Sequence, residues 1–182
     1  EQGQVMGVRV GDTVHAFDTV ISTMPAVYVP RLVPALPEQT RAQFEALHNI
    51  AVVCVVAKLR KAVTHNFWLN VNDPEMDIPG IIEYSNLRSF ASHDGTAMHI
   101  VYAPFYMPGE HAKYQDSDEV FKTKLQAYLL RINPGLTTDD FEAIHVSRYR
   151  HAQPICGPHY LAQLPPVSLP IQGLYAADTS YS

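Results

Sequence analysis

The sequence predicts an α+β chain, with a mixed β-sheet and its helices in the middle and short strands of a separate layer at the two ends. Three observations predict it. "IAVVCVVAKL", residues 50–59, is a long β-branched run of the kind that crosses the inside of a sheet, with both faces covered. "DSDEVFKTKLQAYLLRINPG" repeats its apolar residues at helical spacing. "TVIST", residues 19–23, and "GLYAA", residues 173–177, are short apolar runs, each followed by a polar or proline break.

Taken in order, "VMGVRV", Gly11-Asp12 and "TVHAF" read as a hairpin by turn chemistry. The strand 19–23 stops at Thr23-Met24-Pro25, and Pro25 suits the first turn of a helical segment over 26–33. "PEQTRAQFEALHNI" reads as a helix opened by Pro37 and Glu38. "HNFWLNV" and "GIIEYSN" are strand-like, separated by the polar "NDPEMDIP", and 96–108 is another long strand. The helix that follows carries a stripe of Val120, Phe121, Leu125, Tyr128, Leu129 and Ile132, acidic residues at its start and Asn133-Pro134 at its end. "DFEAIHVSRYRHAQP" alternates as a strand, "LAQLPPVSLP" is an extended connector, and "GLYAAD" closes as a buried strand.

At 182 residues the chain can bury a full core without staples. Its 47% hydrophobic and 17% charged residues are those of an ordinary soluble protein, and two thiols far apart in sequence make a reducing cytoplasm the default expectation. A net charge of −5 without a basic run argues against nucleic acid. No apolar run is long enough for a transmembrane segment. The two cysteines, Cys54 and Cys156, suggest no disulfide framework, and Cys54 sits in an apolar run. Glu1 at the start and the bare strand end at "GLYAADTSYS" read as the cut ends of a longer protein.

Nine histidines raise a metal hypothesis, but His151, Cys156 and His159 match no tetrahedral zinc spacing, so no metal is expected. No G-x-S-x-G, H-E-x-x-H or P-loop is present, and no catalytic side chain is assigned. Asp139, Asp140 and Glu142 read as turn caps. The aromatics Phe67, Trp68, Tyr84, Phe90, Tyr102, Phe105 and Tyr106 pack a core or together wall an apolar pocket. The break after Thr23 stands at the carboxyl end of a strand, where open α/β sheets bind ligands.

"FDTVISTMP" resembles the D-x-V-I-x-T-x-P segment of the flavin-containing amine oxidase and protoporphyrinogen oxidase-like superfamily. "YRHAQPICGPHY" resembles its R-x-x-x-A-Q-P segment, "NIAVVCVVAKL" its long substrate-domain strand, and "GLYAADTS" its last strand. The order is the family's and covers most of the chain.

The resemblance implies a Rossmann-like FAD domain with a substrate domain inserted in it. Residues 1–36 and 161–182 would be the cofactor side and 37–160 the substrate-binding domain. Thr23, Met24 and Pro25 would face FAD, and Asp178 and Thr179 would lie at the pyrophosphate end. Tyr149, His151 and Gln153, on one face of a period-two strand, are candidates for lining the pocket of a small-molecule substrate. The family's G-x-G-x-x-G fingerprint is absent from this sequence. FAD is therefore expected in the full-length parent, of which this chain would be a fragment that does not retain it and is inactive alone. The implied activity is hydride transfer from an amine or apolar carbon substrate to flavin. A flavin-dependent isomerase of the same fold, which would want clustered arginines such as Arg148 and Arg150, and a non-enzymatic binding module are the alternatives.

Overall fold

A computed structural model describes residues 3–92 and 95–181. In chain order the strands and helices are β1 (Gly7–Val10), β2 (Thr13–Ala16), β3 (Val20–Ser22), α1 (Val29–Leu32), α2 (Glu38–Glu45), β4 (Asn49–Leu59), β5 (Trp68–Asn70), β6 (Gly80–Glu83), β7 (Phe90–Ala91), β8 (Ala97–Met107), α3 (Asp118–Ile132), β9 (Phe141–Pro154), α4 (Tyr160–Gln163) and β10 (Leu174–Ala176). Single 3-10 turns cover Ala26–Tyr28, Tyr84–Asn86 and Thr179–Tyr181. The chain divides into two units, Glu1–Asn49 with His151–Ser182, and Ile50–Arg150.

The first unit joins the two ends of the chain. β3 and β10 pair in parallel, with Leu174 opposite Val20, Tyr175 opposite Ile21 and Ala176 opposite Ser22. Gly173 opens β10 at φ +80°, and a Cβ there would collide with the carbonyl oxygen of Asp18, so glycine alone fits this close approach. The other edge of β10 is taken by the connector: Leu169 N–H donates to Leu174 O and Ala176 N–H to Val167 O. Ala26, Val29, Leu36, Phe44, Leu47, Leu169, Ile171, Leu174 and Ala176 form this unit's core. Phe44 and Leu47 place α2 here rather than with the middle of the chain, because their apolar surface is buried in this cluster. The expectation of a strand covered on both faces is corrected. Ile21 is 60% exposed and Tyr175 37%, since only one face of the pair has a core beneath it. The connector is also less extended than expected, since Tyr160–Gln163 makes a turn of helix.

The second unit is a six-stranded sheet of order β5-β6-β8-β4-β9, with β7 pairing β8. The β4–β8, β5–β6, β6–β8 and β7–β8 pairings are antiparallel. Helix α3 lays Phe121, Leu125 and Leu129 on one face, in a core with Val53, Val55, Ala57, Leu59, Val101 and Phe105. Phe105 meets Phe121 edge to face at 5.2 Å. Asp118 and Glu119 in the first turn and Arg131 in the last complement the helix dipole, and Pro134 forbids continuation. Val120, expected in the apolar stripe, is 40% exposed. The expectation that both faces of 50–59 are covered also fails. Val53, Val55, Ala57 and Leu59 are buried under α3, while on the opposite face Val52 is buried and Cys54, Val56 and Lys58 are half-buried.

Candidate functional site: a strand edge and an open aromatic face

Two places are candidates for a ligand, one in each unit. The first is the carboxyl edge of the parallel pair. After Ser22 the chain turns through Thr23 and Met24, both exposed, and Pro25 sets the entry to the Ala26–Tyr28 turn with φ −47° and ψ 133°. The first turn of a helix leaves its N–H groups without intrahelical partners. Here Ala26 N–H donates to Asp178 Oδ2 at 2.6 Å, across 152 residues of sequence. The same carboxylate accepts from Ser180 N–H through Oδ1 at 3.0 Å and from the Ser180 hydroxyl through Oδ2 at 3.3 Å. Asp178 is thus a strut between the two strand ends, and Thr179 stands exposed beside it. Below the edge, burial first, then Asp178 and Tyr160, push the Tyr181 phenol up to about 12. The Ser22 Oγ and Tyr181 hydroxyl are buried without a hydrogen-bond partner among the described residues.

The second place is the sheet face of the second unit that α3 does not cover. Pairing register sets Trp68, Ile82, Tyr102 and Val56 in one row across β5, β6, β8 and β4. Tyr84 packs against Phe90 at 5.8 Å and Tyr102 at 6.2 Å, and the Arg88 guanidinium lies 6.0 Å from the Phe90 ring centre. Trp68 is 44% and Tyr106 38% exposed. The surface is aromatic and apolar from β5 to β8, with Arg88 beside Phe90 and, on β4, Lys58 paired with Glu142 at 2.7 Å. Phe105, singled out from the sequence with these aromatics, is instead a core residue on the covered face.

The structure brings Thr23, Met24, Pro25, Asp178 and Thr179 to one edge. Tyr149, His151 and Gln153 lie at alternate positions of the one strand β9. The division falls between Arg150 and His151, so Tyr149, 59% exposed, lies in one unit while His151 and Gln153 lie in the other. His151 meets Tyr28 edge to face at 5.2 Å. Arg148 is engaged with Asp118 and with the carbonyls of Tyr114 and Asp116, and Arg150 with Glu110. Among the described residues no cluster of three His, Cys, Asp or Glu could hold a metal ion. No helix among the described residues is long and apolar enough to cross a membrane.

One residue escaped the sequence reading. Glu83 ends β6 fully buried, its carboxylate accepting from Val63 and Thr64 N–H. Its signal was alternation: residue 83 shares the face of Ile81, the buried one.

A search of curated proteins finds no match. Among solved structures the chain is similar to an oxidoreductase from Methanosarcina mazei, 20% identical over 99% of this chain and 42% of that one, TM-score 0.68. It is similar to a triple mutant of putrescine oxidase redesigned in cofactor binding, 14% identical over 100% of this chain and 41% of that one, TM-score 0.68. It is also similar to reduced UDP-galactopyranose mutase, 12% identical over 83% and 33%, TM-score 0.57. At these identities the likeness speaks for the fold, and the chain spans about two fifths of the first two structures. The model of the flavin containing amine oxidoreductases matches residues 1–182, so the chain belongs to that family.

Proposed function

We propose that this chain is the substrate-binding portion of an FAD-dependent oxidoreductase that takes a hydride from an amine or an apolar carbon substrate. The observation that carries the reading is the open aromatic face, Trp68, Ile82, Tyr84, Phe90 and Tyr102, in a chain of this family. A sheet buried on one side by α3 and left apolar on the other has a surface to shed from water. A small apolar substrate meets that need.

The residues present fit a limited contact with FAD. Thr23 and Thr179 are exposed at the carboxyl edge of the parallel pair, while Asp178 holds the Pro25–Ala26 turn in place. The first unit is therefore read as part of the cofactor side and the second as the substrate side. When bound, FAD supplies the hydride acceptor. The chain's own part is to desolvate and orient the substrate, which needs no obligate acid or base. The isomerase reading draws less support, because Arg148 and Arg150 are committed to ion pairs rather than converged on a phosphate site.

The test is anaerobic mixing of the full-length protein with primary and secondary amines and with cyclic apolar substrates. Bleaching of the flavin band near about 450 nm supports the reading. A flavin that no such compound bleaches, but that supports isomerisation once reduced, favours the isomerase. A protein that binds an amine and never carries flavin is a binding module.

A further inference from the structure

We infer that Glu83 is the positioning residue of the aromatic wall, fixing the 60–67 connection and through it the place of Trp68. This rests on the reading of that face as a substrate wall. The connection between β4 and β5 has no helix or strand of its own, so its backbone groups need other partners. Side chains supply them. Glu83 accepts from Val63 N–H at 3.2 Å to each oxygen and from Thr64 N–H at 2.7 Å. Asn86 donates to Thr64 O and Asn66 O at 3.0 and 2.9 Å. Asn133 donates to Ala62 O and Val63 O at 3.1 and 3.2 Å.

Glu83 differs from the two asparagines in two ways. It is fully buried, and its own N–H donates to Phe67 O at 2.9 Å. It therefore grips the connection at both ends, by carboxylate at 63–64 and by backbone at 67. Trp68 follows at once and pairs with Ile82, the neighbour of Glu83. A buried carboxylate is costly to desolvate unless its oxygens are bonded, and a filler residue would have no need of the charge. What a carboxylate adds is acceptance of two amides at once. Among the described residues the basic side chain recorded beside it is His99, its Nδ1 3.3 Å from Oε1.

Trp68 is the chain's single tryptophan, so its emission and acrylamide quenching report the wall directly. In Glu83→Ala, amide exchange at Val63 and Thr64 should rise about tenfold or more, as expected for lost bonds to a charged acceptor. Trp68 quenching should rise with it, while exchange in α3 at Leu125 stays unchanged. Glu83→Gln, which keeps the shape and one acceptor, should fall between, and it decides the matter if the alanine variant does not fold. Unchanged exchange at 63–64, or faster exchange with Trp68 emission and quenching unmoved, overturns the inference. Benzylamine titrated against the 182-residue chain, whose one tryptophan is Trp68, tests the wall separately. If it fails to perturb Trp68, the substrate reading falls while the grip of Glu83 is still measured by exchange.

Discussion

At Asp178 one carboxylate ties together two segments far apart in sequence. It accepts the first-turn amide of Ala26 and the amide and hydroxyl of Ser180. Asp178→Ala leaves Ala26 N–H without its partner and should lower stability by about 1–3 kcal/mol in chemical denaturation. In a full-length protein FAD affinity should fall with it, and Asp178→Asn should retain part of both. Unchanged denaturation of the alanine variant would remove the strut. A second residue-scale expectation concerns alkali. Tyr181, ordinarily at 10.0, is pushed up to about 12. Below the unfolded value both states hold the proton, and the tyrosine's contribution to stability is full. Above it the unfolded chain releases the proton first, so stability falls from about pH 10 and the loss is complete as pH rises through about 12. Tyr181→Phe should flatten that fall in denaturation midpoints measured across the window. Asp178 was legible as a polar stop after an apolar strand. Its partner Ala26 was not, because nothing in a local pattern points across the sheet to a backbone amide 152 residues away.

Elements divide by whether their pattern is local. Helix α3 was legible almost to its ends, since an acidic start, a repeating stripe and a proline stop all agree. Its error, Val120, is a residue at the helix start whose helical spacing matches the stripe while its side chain lies at the stripe's edge. The difference is measurable. Leu125 is fully buried, and Leu125→Ala should cost about 2–5 kcal/mol, whereas Val120→Ala should stay within about 0.5 kcal/mol. Equal losses from thermal unfolding would mean that α3 packs by a different face. The run 50–59 taught the opposite lesson. Its β-branched residues on both sides suggested cover on both sides, yet β4 is buried on one face and, beyond Val52, half-buried on the other. A strand facing a ligand surface is as apolar as one facing a core, so composition cannot tell them apart. That ambiguity also explains why Phe105 and Tyr102 read alike in the sequence while one packs on Phe121 and the other on Tyr84.

For the molecule as a whole, the pairing of β3 with β10 was legible because both runs are short, apolar and broken at the same end. The positions at which the chain passes between units were not. They fall inside the continuous strands β4 and β9, where no proline or glycine marks a border. The same pairing bears on the cofactor. Dinucleotides are held chiefly by a glycine-rich turn and the amino end of the helix that follows, where backbone amides meet the pyrophosphate. This sequence has no such fingerprint, and its own helix entry after Pro25 has Ala26 N–H already engaged by Asp178. The edge also presents the exposed side chains of Thr23 and Thr179, and a hydrogen bond from each to a cofactor would add about 0.5–1.5 kcal/mol. Even together these fall far short of the roughly 8 kcal/mol that micromolar retention requires. The 182-residue chain, purified alone and passed over a gel filtration column with excess FAD, should emerge colourless. A longer chain that adds the glycine-rich turn should emerge yellow. Retention of flavin by this chain alone would make the strand edge itself the main cofactor contact, with Thr23→Val and Thr179→Val the variants to locate it.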